Sequence, residues 1–275
     1  MINQIQPTRV ILVFDGEGNT TNKKNLYSDY KGTRKIKRIT NWTGFDNLEQ
    51  ESDSIQDQML RLIDYLRCLP LNIAVIDKLE ADDVIAFLST KFDHSIIVSV
   101  DQDFLQLVDD KVEVYSPIRK KYYTKQLVFD EFGVWPCNFL QKKIILGDTS
   151  DNVPKVPKIG IKKLYKLFPE LQLETPISLQ EIIDKSYIES DNEPLYGNVY
   201  NFKHQLYINE KLMDLKNPNI PEQEKERLDL LVSSKPNSYN KSRFLQLYSE
   251  DKLENSIPGL NLWLTNNFES LNKYR

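Results

Sequence analysis

Hydrophobic positions fall into two regimes along the chain. Between Arg9 and Val108, short unbroken apolar runs recur: "RVILVFD" (Arg9 to Asp15), "NIAVI" (Asn72 to Ile76) and "SIIVSVD" (Ser95 to Asp101). Runs of this length suit strands buried on both faces of a parallel sheet. Helical periods separate them. Ile55, Met59, Leu62, Ile63 and Leu66 recur at helical spacing, "EADDVIAFLSTKF" (Glu80 to Phe92) reads as a helix, and "QDFLQLV" opens another. "KVEVYSP" and "KKYYT" alternate as the arms of a hairpin. Strand and helix signals in alternation predict an α/β fold with a mainly parallel sheet. Only Asn19 to Thr43, polar and basic, shows no apolar period.

After about Tyr123 the strand signal fades. Helical patterns follow at Lys125 to Gly133, Asn138 to Leu146, Ile161 to Leu167, Ser178 to Ile188 and Tyr196 to Met213. From Pro221 the tail is helical and polar, interrupted by loops at "SSKPNSYNKS" and "NSIPGLN". The expected organisation is an α/β domain over residues 1–124 and a helical region over 125–275.

Composition narrows the classes. A chain of 275 residues makes one large domain or two small ones, and 40% apolar content suffices for a core. A net charge of −4 excludes non-specific phosphate binding as the whole function. A nucleic-acid protein of this charge needs local basic patches, or cations that neutralise its own carboxylates. Cys68 and Cys137 stand far apart, in no metal-ligand spacing, which suits buried thiols in a reduced compartment. No apolar run approaches a membrane span, and "MINQIQPTRV" has no signal-peptide pattern. A soluble cytoplasmic protein without membrane contact is expected.

The acids carry the first chemical signal. Asp15 ends the first strand. Glu80, Asp82 and Asp83 follow the second, and Asp101 and Asp103 follow the third. In a parallel sheet the carboxyl ends of the strands share one edge, where ligands bind. Six acids on one rim cannot all stay ionised without lysine, arginine or divalent partners. Hard oxygen donors select Mg²⁺ or Mn²⁺. Plainer readings exist for each: acids in a first helical turn complement the helix dipole, Asp15-Gly16 makes a turn, and Asp101 makes an N-cap. Their joint placement at three successive strand ends favours a metal site. Asp148 and Asp151 join them from the helical region. They face the same way if their segment is helical, while "GDTSDN" also has the composition of a turn.

The second signal is basic. "YSDYKGTRKIKR" (Tyr27 to Arg38) interleaves tyrosines with Lys31, Arg34, Lys35, Lys37 and Arg38, with Lys24 upstream, a pattern for phosphate contact and base stacking. "VPKVPKIGIKK" (Val153 to Lys163) reads as a hairpin between helices. Lys155, Lys158, Lys162 and Lys163 flank Gly160, which is expected to supply a conformation other residues resist and so let amides approach a phosphate.

In this order, "VFDG", "YKGTR", "EADD", "VSVDQDFLQL" and "GDTSDNVPKVPKIGIKK" resemble the 5′-nuclease superfamily of flap endonucleases and 5′→3′ exonucleases. The helical tail, with "NEKLMDL" followed by "IP", is most similar to the ribonuclease H branch of T-even-type phages. The resemblance implies a PIN-like domain with two Mg²⁺ or Mn²⁺ ions held by Asp15, Glu80, Asp82, Asp83, Asp101, Asp103, Asp148 and Asp151. It implies that Tyr30, Lys31 and Arg34 steer the scissile phosphate, with Lys31, Arg34 and Asp101 catalytic, and that Lys35 to Asp57 forms a helical arch over a single-stranded 5′ end. Val153 to Lys163 would be a helix-hairpin-helix element, within about residues 145–168, that binds duplex phosphates through K⁺. Tyr30, Lys31, Arg34, Lys35, Lys155, Lys158, Gly160, Lys162 and Lys163 would touch DNA. The substrates implied are DNA and RNA–DNA duplexes with 5′ ends or flaps, acted on by a monomer beside a single-strand binding protein and a sliding clamp. One departure stands out. Family members carry a further strand and aspartate upstream of "VFDG", and here the fourteen residues before Asp15 contain no acid. The alternative function is therefore a DNA-binding fragment that needs a separate N-terminal segment for catalysis. A small-molecule phosphatase would explain the acids but not the hairpin lysines.

Overall fold

A computed structural model describes residues 2–32, 41, 43–253 and 256–274. In chain order the elements are α1 (Ile2–Ile5), β1 (Ile11–Asp15), α2 (Thr21–Leu26), α3 (Leu48–Arg67), β2 (Asn72–Ile76), α4 (Ala81–Ser89) and β3 (Ser95–Val98). A 3-10 helix (Gln102–Leu107), β4 (Val112–Ser116) and β5 (Lys121–Tyr123) follow. Then come α5 (Lys125–Phe132), α6 (Pro136–Leu146), α7 (Ile161–Leu167), α8 (Leu179–Ile188), α9 (Pro194–Asn201), α10 (Lys203–Met213), α11 (Glu222–Ser233), α12 (Lys241–Glu250) and α13 (Leu260–Phe268).

The expected alternation is present, and the fold is α/β. Differences are local. "QDFLQLV" forms a 3-10 helix rather than an α-helix. The helix expected over Tyr196 to Met213 is two helices, broken at Phe202. Asn19 to Thr43 conceals α2, whose six residues lack an apolar face and bury none. The strands are also less covered than the sequence suggests. Among the described residues the sheet comes in two pieces, β1–β2 and β3–β4–β5, with β3 parallel to β4 and β5 antiparallel to it. No residue of β1 is fully buried, because it has a single neighbouring strand. The outer edge of β3 carries no strand among the described residues, and Val98 and Val100 are 42% and 58% exposed.

The chain forms two compact units. One comprises residues 1–14, 35–74 and 226–275. Its core joins Cys68, Leu69 and Leu71, after α3, to Phe244, Leu247, Leu264 and Phe268 of the tail helices. Arg9 donates to the side chain of Asn72 and to the carbonyls of Val232 and Ser234, tying the start of β1 to the end of α11. Arg61 forks onto Asp251 at 2.8 Å, and the Tyr65 hydroxyl donates to the same carboxylate at 2.7 Å.

The second unit comprises residues 15–34 and 75–225. Its larger core runs from Ile97, Phe104 and Val114 through Phe139, Ile144 and Ile145 to Leu164, Phe168, Ile182 and Leu206. Three buried amides bind this unit across long sequence distances. Gln106 donates to the carbonyls of Asp103 and Met213 and accepts from the amide of Leu215. Asn138 donates to the carbonyls of Leu173 and Thr175 and accepts from the amide of Ile177. Asn209 donates to the carbonyls of Ile144 and Pro154 at 2.9 and 2.8 Å. Buried polar groups this well paired specify one arrangement of the loops they hold.

Candidate active site

All the acids singled out by sequence lie in the second unit. Asp15, at the end of β1, accepts the amide of Ala81 at 2.9 Å and so fixes the start of α4. Gly16 makes this approach possible, since a Cβ there would fall 1.9 Å from the carbonyl oxygen of Ile76. Glu80 stands at the N-cap of α4 without capping it, and only 3% of it is exposed. Its carboxylate instead meets two lysines. Lys23 Nζ, from α2, lies 2.6 Å from Glu80 and 3.3 Å from Asp83, and Lys31 Nζ contacts the other Glu80 oxygen. The Tyr30 hydroxyl lies 3.1 Å from Glu80 Oε2 and 3.2 Å from Asp151 Oδ2, and its one hydrogen serves one of them at a time.

Environment separates these carboxyls. Burial pushes Glu80 up, but Lys23 and Lys31 overcome it and hold the group below its ordinary value. Asp83 is raised, because its burial outweighs the single contact with Lys23. Burial, then the neighbouring charges of Asp101 and Glu80, push Asp82 up to about 7. Asp101 caps the 3-10 helix by accepting the amide of Asp103 at 2.8 Å, as a plain capping role requires, and it stays exposed beside Asp82. Asp82, Asp103 and Asp151 line one cavity of about 10 Å³ with Lys23, Tyr30, Val153 and the end of α10. That is room for about one water-sized sphere.

The segment from Asp148 to Asp151 is a turn, not a helix. Asp148 and Val153 exchange backbone hydrogen bonds of 3.0 and 2.7 Å across it. One Asp148 oxygen organises the turn, accepting from the amide and hydroxyl of Ser150 at 2.8 and 2.5 Å. The other accepts from Lys143 at 2.9 Å, and Lys143 also contacts Asp103. Burial opposes its ionisation, but Ser150 and Lys143 bring Asp148 down to about 2. The turn also receives the basic segment. The Lys31 amide donates to the Asp151 carbonyl at 2.8 Å, and the Asn152 side chain donates to the Asp29 carbonyl at 2.9 Å. Lys31 takes a left-handed conformation (φ 56°) to make this docking.

Downstream, Val153 to Lys163 leads into α7 through turns. Gly160 corrects the expectation from sequence. It is the N-cap of α7 in an extended conformation (φ −121°), which any residue adopts. The left-handed position falls on Lys158 (φ 64°), whose carbonyl accepts from Lys163 at 3.1 Å. What glycine contributes at 160 is an open surface, with nothing within 4 Å of a Cβ there. Lys155, Lys158, Lys162 and Lys163 are all exposed. Arg34 and Lys35 lie outside the described residues, as does part of the segment expected to form the arch.

Sequence reasoning missed Lys23 and Lys143. Lys23 sits in a polar stretch whose other basic residues drew the eye. Lys143 lies five residues before Asp148 on α6, and Leu146 to Asp148 turns it back onto that acid. Together the geometry brings five chain segments to one place: β1, α2 with the following basic turn, α4, the 3-10 helix, and the α6–α7 connection.

The family model of the 5′–3′ exonuclease N-terminal resolvase-like domain matches residues 1–133. A 5′–3′ exonuclease of Aquifex aeolicus is 28% identical over 204 residues, covering 68% of this chain and 65% of that protein. One of Bacillus subtilis is 31% identical over 179 residues, covering 62% of this chain and 55% of that protein. The chain thus spans between about half and two thirds of the length of these relatives. Among solved structures, a bacteriophage T5 flap endonuclease in complex with DNA and metal ions superposes with a TM-score of 0.64, at 21% identity, covering 92% of this chain and 86% of that one. The fold is shared at that distance, and the sequence carries the relationship. The first half of the chain is thus similar to the N-terminal resolvase-like domain of 5′–3′ exonucleases, and the fold is similar to that of a flap endonuclease.

Proposed function

We propose that the chain is a metal-dependent, structure-specific 5′ nuclease that hydrolyses phosphodiesters at 5′ ends, flaps or RNA primers on duplexes. The observation that carries this reading is the meeting of carboxylates from β1, α4, the 3-10 helix and the Asp148–Asp151 turn, with the exposed lysine hairpin a few residues on. The Aquifex and Bacillus 5′–3′ exonucleases and the DNA- and metal-bound phage T5 enzyme support it.

The donor set suits hard divalent cations, since every candidate ligand is a carboxylate. As the side chains stand, no three acids among the described residues are close enough to share one ion, and Lys23 and Lys143 each bridge a pair of them. Asp15, Glu80, Asp82, Asp83, Asp101, Asp103, Asp148 and Asp151 would hold two Mg²⁺ or Mn²⁺ ions, which supply an activated water and offset charge on the leaving 3′-oxygen. Tyr30 donates its one hydroxyl hydrogen to Glu80 or to Asp151 and steadies the acid it serves. Lys31, and Arg34 beyond it, would take the scissile phosphate. The exposed lysines at 155, 158, 162 and 163 would hold the duplex through its phosphates, with K⁺ at the hairpin carbonyls. Hydrolysis would leave a 5′-phosphate on one product and a 3′-hydroxyl on the other. A single-strand binding protein and a sliding clamp as partners of a monomer rest on the resemblance alone. A reduced compartment suits the two free thiols, Cys68 and Cys137.

The test is Mg²⁺-dependent cleavage of a 5′-labelled flap. Asp101→Ala and Asp148→Ala should lose cleavage while retaining binding. Background rates shared by both variants and the unaltered chain would sink the reading. The second reading, binding without catalysis, draws on the lysines between the acids. It wins if the chain binds forked DNA but never cleaves it in Mn²⁺.

A further inference from the structure

We infer that Lys23 and Lys143 are built-in competitors of the cation at the carboxylate site, and that loading the site exchanges their ammonium groups for the ion. The inference rests on the metal-dependent reading above and adds to it a control on affinity.

Each lysine bridges two carboxylates. Lys143 reaches from α6 to Asp103 and to Asp148, and Lys23 reaches from α2 to Glu80 and Asp83. Both side chains are enclosed, at 14% and 12% exposure. In this they differ from the hairpin lysines, which are exposed to receive a phosphate. An ammonium hydrogen-bonded to a carboxylate uses the lone pairs a cation would need. The arrangement has a structural benefit. Enclosed carboxylates from separate segments repel unless something neutralises them, and a buried acid stripped of its partner is strongly destabilising. The lysines therefore hold the rim together, and the same contacts oppose the ion. Lys143 also joins the 3-10 helix to the Asp148 turn. Its release would loosen those two segments until an ion joins them again.

The experiment is calorimetric titration of the nucleic-acid-free chain with Mn²⁺ at pH 8, for the unaltered protein, Lys143→Met and Lys23→Met. Affinity should tighten about tenfold or more in at least one variant, as expected for removing a charge within ~4 Å of the ligands. Without Mn²⁺ the melting temperature of that variant should fall, and saturating Mn²⁺ should restore it. Unchanged or weaker affinity in both variants would overturn the inference while leaving the metal-dependent reading intact. If neither the unaltered chain nor the variants take up Mn²⁺, the parent reading fails and this one with it. Should the variants not fold, amine labelling of the unaltered chain decides. Lys23 and Lys143 should be protected in chelator and labelled in saturating Mn²⁺, and protection that persists in Mn²⁺ would refute the exchange.

Discussion

At Asp82, position and environment point to different properties. Sequence places it in the first turn of α4, where a carboxylate normally gains from the helix dipole. The fold encloses it beside Asp101 and Glu80, and its pKa rises to about 7. The sign of the consequence follows from proton linkage. Between about pH 4 and pH 7 the unfolded chain has lost this proton while the folded chain keeps it, so stability falls as pH rises and then levels off above 7. In chelator, Asp82→Asn should therefore stabilise the protein at pH 8 by on the order of 2–4 kcal/mol, and by almost nothing near pH 4. Urea denaturation at the two pH values checks this, and equal effects at both would refute it. If Asp82 holds a cation as proposed, saturating Mn²⁺ should reverse the advantage at pH 8, since the variant would lack that donor. The acids were legible because strand ends recur in a countable order. Lys23 and Lys143 were not, since a lysine in a polar stretch or on a helix carries no mark of where its four-carbon stem will lead.

Among elements, the connection from α6 to α7 does the most with the fewest residues. Gly147 ends α6 at φ 64°, ψ −175°, a region closed to other residues, and a Cβ there would fall 2.5 Å from the Val153 carbonyl. Gly147→Ala should cost more than ~2 kcal/mol. A urea midpoint like that of the unaltered chain would refute it. Asn209 holds the same connection from α10, through the carbonyls of Ile144 and Pro154. Asn209→Ala leaves two enclosed carbonyls without donors and should cost about 1–3 kcal/mol. Its distinguishing effect should be greater proteolysis within residues 147–160, with the rest of the chain protected. The sequence marked this connection by composition alone. "GDTSDN" is turn material, and the structure makes a turn of it. Gly160 was expected to need its glycine for backbone freedom, yet that freedom is used at Gly147, Asn152 and Lys158. Composition names the residues that permit turns without saying which one bears the left-handed angle. The break at Phe202 was equally hidden, because Val199, Leu206 and Met213 keep a helical period across it.

At the scale of the whole molecule, the proposed phosphate binding has to coexist with a net charge of −4. The structure divides the two signs by exposure. Lys23 and Lys143 are enclosed and paired with acids, so the lysine count overstates the cations available to a polyanion. Lys155, Lys158, Lys162 and Lys163 are exposed along one short stretch, and they are what a duplex would meet. Binding should therefore depend on salt through a few contacts rather than through overall charge. Each phosphate contact contributes about 0.9 to the slope of log K against log salt on duplex DNA. Lys155→Gln with Lys162→Gln should then weaken flap binding at moderate salt and lower that slope by about two, while Mn²⁺ affinity stays unchanged. Lys143→Met should do the converse, altering Mn²⁺ affinity and leaving the slope where it was. Fluorescence anisotropy across a salt series, with Ca²⁺ in place of Mg²⁺ to suppress cleavage, measures the slope for both variants. A slope that falls equally in both would mean that enclosed and exposed lysines act on the duplex alike, and the division of labour drawn from exposure would be wrong.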